Sequence, residues 1–250
     1  MGFGSPHRHY RLTDSTNQRA RDLVEAGAPH GTVVTAEEQS AGRGRQGRVW
    51  TAPAGKGLLY SAILRPLDER HLLLPLIVPL AICEAAEALR PGITCQIKWP
   101  NDVWLEERKL AGILIEAKPQ DGWAVIGIGL NLTVAPDEFP DDLKWPAVSL
   151  FGLATEGRGE PRRSLPAVAP AGLPPTPLTA LNRALDRWIS ADRDEVLVEW
   201  RSRDALKGRD VSWQDGSGVA EGIDDSGDLL VRRLDGDLAV LGAGEVHLRL

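Results

Sequence analysis

Four short stretches carry most of the reactive side chains of this 250-residue sequence. GRGRQGRVW, residues 42–50, sets Arg43, Arg45 and Arg48 among glycines, with an indole at Trp50. Arginine forks bind phosphate or carboxylate bidentately, glycines let the backbone approach a ligand, and a Trp ring stacks on a base. That set suits an anionic nucleotide, and it equally describes a solvated basic loop or an RNA contact. Gly42, Gly44 and Gly47 spell GxGxxG, but a dinucleotide fingerprint needs a helix directly afterwards, and Val49, Trp50, Pro53, Gly55 and Gly57 make a poor one. KWPNDVW, residues 98–104, gathers Lys98, Asn101 and Asp102 at a proline turn, which turn chemistry alone would explain. RKLAGILIE follows Lys109 with small Ala111 and Gly112, and GIGLN puts Gly127 and Gly129 on one strand face with Asn131 at its end. Small residues let a ligand lie against a sheet, although isolated strand glycines also mark bulges. Only six of the 29 basic residues are lysines, so Lys98 and Lys109 stand out as places that want a compact ammonium.

Elements that could position these groups are legible around them. HRHYRL reads as a strand, and DSTNQRARDLVEAG as a helix with Asp14 or Ser15 near its N-cap and Gly27 past its end, leaving Ser15 and Thr16 at a helix N-terminus. TVVTAEE and GLLYSAILR are β-branched or alternating, so residues 38–53 form a long loop between two strands. Leu76 to Leu89 is a buried helix stopped by Pro91 and Gly92, after which TCQIKW, DVWLEE with KLAGILIEA, and GWAVIGIGLNL follow as strands on short connections. Short connections mean antiparallel neighbours, so the expected fold is α+β: a mixed, mainly antiparallel sheet with helices on one side. Nine of the eighteen prolines fall between Pro136 and Pro177, and the stretch 154–177 has little to bury, so it is expected to be mobile. Helices resume over Leu178 to Ser190, with Leu181, Leu185, Trp188 and Ile189 on one face, and over Asp194 to Leu206. Beyond Gly208, short alternating runs broken by QDGSG, DDSG and LDGD predict a small β-barrel, and hence two units, 1–206 and 207–250.

Composition narrows the function classes. The chain is 42% hydrophobic and 26% charged, as ordinary globular proteins are, and its formal net charge of −6 argues against nucleic acid or anionic membrane as the main partner. Leu72 to Cys83 spans about half a bilayer and contains two prolines, and MGFGSPHRHY has no apolar signal core, which makes the expected location cytoplasmic. Cys83 and Cys95 lack metal-ligand spacing, and His7 and His9 read as one face of a strand, so no tight metal site is expected.

Taken in order, DSTN, EEQSAGRGRQGRVW, KWPNDVW, RKLAGIL and GIGLN resemble the catalytic domain of biotin protein ligases over residues 10 to 150, with the fold of class II synthetases. The tail ending in GEVHLRL is similar to their SH3-like C-terminal domain. The resemblance implies a biotin pocket of Ser15, Thr16, Gln39, Gly42, Arg43, Arg45, Lys109, Gly112 and Gly127. It implies an ATP site of Arg45, Arg48, Trp50, Asn101, Lys109, Gly129 and Asn131, and catalytic roles for Lys109, Arg43, Arg45 and Asp102. Mg²⁺ would arrive with ATP near Asp102, and the acceptor would be the biotin carboxyl carrier protein of acetyl-CoA carboxylase or a related carboxylase. Because the motifs begin by residue 14, no DNA-binding head and no transcriptional repression are expected. A lipoate ligase, a nonenzymatic biotin-binding module and an RNA-binding protein are the rival readings, and both monomer and homodimer stay open.

Overall fold

The computed structural model describes residues 2–152, 175–242 and 246–248; most of the proline-rich stretch at 154–177 lies outside the described residues. Its last residues are described: the Thr176 hydroxyl accepts a hydrogen bond from Thr179 N, and Pro177 opens a helix, where a missing N–H costs nothing.

Seven strands form one mixed sheet. In spatial order they are β1 (His7–Thr13), β2 (Val33–Gln39), β3 (Gly57–Leu64), β7 (Trp123–Asn131), β6 (Arg108–Lys118), β5 (Asp102–Leu105) and β4 (Gln96–Lys98). Every adjacent pair is antiparallel except β1 and β2, which are parallel and joined through helix α1 (Thr16–Glu25). Parallel neighbours need such a crossover.

Alternation along the strands separates two faces. Tyr60, Ala62 and Leu64 of β3 and Ala124, Ile126, Ile128 and Leu130 of β7 share a core with α2 (Leu74–Leu89), α3 (Pro177–Ile189) and α4 (Arg193–Ser202). Ile63, Val125 and Trp123 point the other way and pack with Val34 and with Ala20 and Val24 of α1. Helices therefore cover both faces, which corrects the expectation of helices on one side. Periodicity shows that α1 has an apolar stripe; which face of the sheet receives it depends on the hand of the crossover.

A short 3₁₀ stretch, Glu69–Leu73, runs into α2, making the helical segment longer than the sequence suggests. Glu69–Leu89 is long and apolar enough to cross a membrane by composition, with a mean hydropathy of 2.0 over its most apolar window. That window is 67% buried inside the fold, between the sheet and α3, and burial in the core accounts for its apolarity.

The C-terminal strands β8 (Asp210–Trp213), β9 (Gly216–Ile223), β10 (Leu229–Arg233), β11 (Leu238–Leu241) and β12 (His247–Leu248) form a second, antiparallel sheet in the order β11-β10-β9-β8-β12. Its ends do not pair with each other among the described residues, so it is an open sheet here rather than a closed barrel. Val211, Leu229, Val231 and Val246 join the same apolar cluster as Ile97 and Trp104, so the two sheets share one core.

Candidate active site

Strand register makes a trough on the α1 face of the large sheet. Leu59 pairs with Gly129, Gly129 with Gly112, and Gly112 with Asp102, so one cross-strand row has two adjacent positions without side chains. The next row runs Ser61, Gly127, Leu114. The Trp50 indole fills the gap: a Cβ on Gly129 would stand 2.2 Å from it and one on Gly112 2.9 Å from it. A Cβ on Gly127 would stand 2.1 Å from Asn17 Oδ1. These glycines are a floor over which flat groups can lie.

One end of the trough is neutral and saturated with hydrogen bonds. Ser15 is the N-cap of α1, and Thr16, in its first turn, donates its N–H and its hydroxyl to Gln39 Oε1 at 2.7 and 3.0 Å. Ser61, fully buried on β3, lies 2.8 Å from Thr16 Oγ1 and 2.6 Å from Asn17 Oδ1. Asn17 donates to Glu116 Oε2 at 2.8 Å and to Leu114 O at 3.3 Å.

Charge dominates the other end. Lys109 Nζ lies 2.7 Å from Asp102 Oδ1, but not in line for a hydrogen bond, so that buried carboxylate oxygen has an ion-pair neighbour and no hydrogen bond. Arg45 reaches Asn101 Oδ1 at 3.4 Å, while Asn101 Nδ2 donates to Ile113 O and Asn131 Nδ2 to Val148 O. Burial, then repulsion from Arg48, lowers the Arg45 pKa, with Asp102 opposing. Just behind, Lys98 donates to Val246 O at 3.0 Å and sits 5.3 Å from the Trp145 ring. Burial brings its ammonium down to about 8, with Lys109, Lys144 and Arg48 adding to the effect and Asp102 opposing it.

The 42–50 loop closes the trough from above. Trp50 N bonds Gly42 O and Gly44 N bonds Arg48 O, folding the loop on itself, with Gln46 and Gly47 at positive φ at its tip. Gly42 could carry no side chain, because a Cβ would meet Trp50 O at 2.2 Å. No helix of α type follows the glycines, which excludes the dinucleotide fingerprint.

Every residue that the family resemblance assigned to the site, except Gly42, lines one cavity of about 200 Å³: Ser15, Thr16, Gln39, Arg43, Arg45, Arg48, Trp50, Asn101, Asp102, Lys109, Gly112, Gly127, Gly129 and Asn131, while Lys98 lies behind it. Gly42 supports it from outside, against Gln39 and Trp50. Sequence reasoning missed Asn17 and a whole wall, Phe139, Leu143, Lys144 and Trp145. That wall is brought in because Lys109 N bonds Pro146 O and Val148 N bonds Lys109 O, pairing the segment after β7 with the start of β6. The DSTN motif offered a signal for Asn17; the proline-rich 136–147 segment offered none. Five cations line the cavity, Arg43, Arg45, Arg48, Lys109 and Lys144, against one carboxylate, Asp102. No group of three or more His, Cys, Asp or Glu suited to a metal occurs among the described residues.

Fold and site define an α+β protein with a glycine-floored trough, neutral and hydrogen-bonded at one end and rich in cations at the other. Residues 9–132 match the biotin/lipoate A/B protein ligase family. The whole chain is 34% identical to the biotin--[acetyl-CoA-carboxylase] ligase of Mycobacterium tuberculosis, covering 92% of that protein. It is 39% identical over 153 residues, 59% of this chain, to the bifunctional ligase/repressor BirA of Bacillus subtilis, and these residues span about half of that protein's length, 47%. The biotin protein ligase of Aquifex aeolicus, solved in complex with biotin and ATP, superposes with a TM-score of 0.74 at 27% identity, over 98% of this chain and 99% of that one. This chain belongs to the biotin protein ligase family.

Proposed function

We propose that the chain is an ATP-dependent biotin protein ligase: it activates biotin to biotinyl-5′-AMP with release of pyrophosphate, then transfers the biotinyl group to a lysine of a biotin carboxyl carrier domain. The observation that carries this reading is the division of one trough into a neutral end at Thr16, Gln39 and Asn17 and a cationic end at Lys109 and Arg45. A ureido ring both donates and accepts hydrogen bonds, and hydroxyl and amide groups fixed by the sheet and α1 suit it. The valeryl chain would cross the apolar floor toward Lys109.

Activation joins two anions. A biotin carboxylate oxygen attacks the α-phosphorus of ATP, the bond to the β,γ-pyrophosphate breaks, and pyrophosphate leaves with the electron pair. Two unit charges 4 Å apart repel by about 4 kcal/mol at an effective dielectric of about 20. Lys109, with Arg45 and Arg48, would offset that repulsion and stabilise the transferring group. Trp50 and the folded loop would exclude water from the mixed anhydride. In the second step the acceptor lysine amine gives up a proton, with Asp102 as the carboxylate that would take it, then attacks the carbonyl and AMP departs.

Asp102 also fits a single Mg²⁺ that arrives with ATP, since its buried Oδ1 lacks a hydrogen bond and Mg²⁺ commonly takes one or two carboxylates with phosphate oxygens. Bound there, the ion would supply neutralising charge for the phosphates.

The expected acceptor is the carrier protein of a biotin-dependent carboxylase, and acetyl-CoA carboxylase is the enzyme in the mycobacterial relative's name. We read residues 1–206 as the catalytic unit and 207–250 as a tail similar to the family's SH3-like domain, its five described strands forming an open sheet. A cytoplasmic location follows from these substrates, and the net charge of −6 supports a chain that does not act on operator DNA.

The test is biotin-dependent exchange of labelled pyrophosphate into ATP with Mg²⁺, without acceptor protein and beside lipoate. Exchange with biotin alone is expected. Exchange with lipoate alone would overturn the substrate, and biotin binding without exchange would overturn the ligase reading.

A further inference from the structure

We propose that Glu116 is a positioning residue that latches the 42–50 loop over the trough through Arg43, and that Arg43 serves this latch rather than the reacting anions. Glu116 closes the trough-facing series of β6 after Gly112 and Leu114. Three elements converge on its carboxylate. Asn17 Nδ2 donates to Oε2 at 2.8 Å, Arg21 Nη1 donates to Oε1 at 3.3 Å, and Arg43 Nη1 of the loop lies 3.2 Å from the same Oε1. The carboxylate is 20% exposed, so these contacts are screened less than those of an open surface pair.

Two arginines two residues apart in the loop thus go to opposite walls. Arg43 is pinned to the wall made by α1 and β6, and Arg45 to Asn101 beside β5. The loop straddles the trough, and Arg43 ties it to the Glu116 carboxylate on the α1 side. The latch is also continuous with the neutral end. Asn17, which bonds Glu116, lies within hydrogen-bond distance of Ser61, Ser61 of Thr16, and Thr16 bonds Gln39. A ring seated among Thr16, Gln39 and Asn17 would fix the Asn17 amide, and with it the carboxylate that holds the loop. Occupation of the neutral end and closure over the charged end become one event.

This deepens the ligase reading and rests on it only for the consequences during turnover; the loop contact is tested without chemistry. Arg43, Arg45 and Arg48 are themselves trypsin sites, so limited proteolysis reads loop opening directly. Glu116→Gln keeps the shape and an acceptor for Asn17 while removing the charge. It should raise the ligand-free rate of cleavage within 42–50 about fivefold, the size of a partly exposed ion pair. Wild-type cleavage should accelerate with added salt, and the variant should lose that dependence. Arg43→Gln, which leaves the sheet untouched, should give the same acceleration at Arg45 and Arg48, and the double variant should add nothing further. In turnover, KM for biotin should rise more than kcat falls, and biotinyl-adenylate should escape faster. A Glu116→Gln protein cleaved at the wild-type rate with the wild-type salt response would overturn the latch, as would fully additive single variants. A protein that loosens as described but shows no biotin-dependent exchange would leave the latch standing and remove the ligase.

Discussion

The two ends of the trough share a floor and little else. At the α1 end, Thr16, Gln39, Ser61 and Asn17 bond one another, so the groups are held in place before any ligand arrives. At the β5 end, Lys109, Arg45 and Arg48 gather about Asp102, whose buried Oδ1 lacks a hydrogen bond. The first end is organised to recognise a neutral shape; the second is an excess of positive charge that a polyanion would complete. Such a division lets one trough bind a vitamin by fixed hydrogen bonds and reserve electrostatic strain for the reacting centre.

If the division is real, the ends must respond separately to substitution. Lys109→Ala should lower biotin-dependent pyrophosphate exchange about 10²- to 10³-fold, as loss of a charge aimed at the transition state does, while biotin affinity measured by calorimetry changes little. Equal losses in both would break the comparison. Gly129→Ala puts a methyl where the Trp50 indole lies, 2.2 Å from its ring, and should raise KM for ATP up to about 100-fold by displacing the ring and loop. An unchanged KM would mean that Trp50 can move aside without consequence. Thr16→Val removes the hydroxyl between Gln39 and Ser61 and should weaken biotin about tenfold, leaving KM for ATP unaltered.

The smallest effect concerns Lys98, which stands behind the charged end and ties it to the tail through Val246 O. Its ammonium is lowered from 10.5 to about 8 by burial, so above pH 8 the unfolded chain holds more protons at this residue than the folded one. Its contribution therefore favours the folded state increasingly as pH rises from 8 toward 10.5, by about 1 kcal/mol between pH 8 and 9. Urea unfolding at those two pH values should show this increment in the wild type and not in Lys98→Met. An identical increment in both proteins would assign it to other groups.

Much of the chemistry was legible because it is written in consecutive residues. The loop had to be a loop, since Gly42, Gly44 and Gly47 precede no helical run, and α1 had to begin near Ser15 because the apolar periodicity starts there. The lysines were conspicuous through scarcity. Glu116 was invisible by contrast: it reads as the last polar residue of a strand, and only pairing of β6 with β7 and the seating of α1 bring Asn17, Arg21 and Arg43 to it. The 139–147 wall was equally hidden inside a proline-rich segment, where local composition describes what the chain cannot become and says nothing of where it lies.

By itself the sequence determined the strands, the first helix, the glycine positions and the kinds of group available, because these depend on neighbours within a few residues. Only the tertiary structure decided that Gly129 faces Gly112, that α1 lies opposite α2, that Arg43 and Arg45 part to opposite walls, and that Val246 of the tail reaches Lys98. Strand register and crossover hand are set by the packing of the whole core, and a single residue of slip would carry every glycine of the floor to the far face.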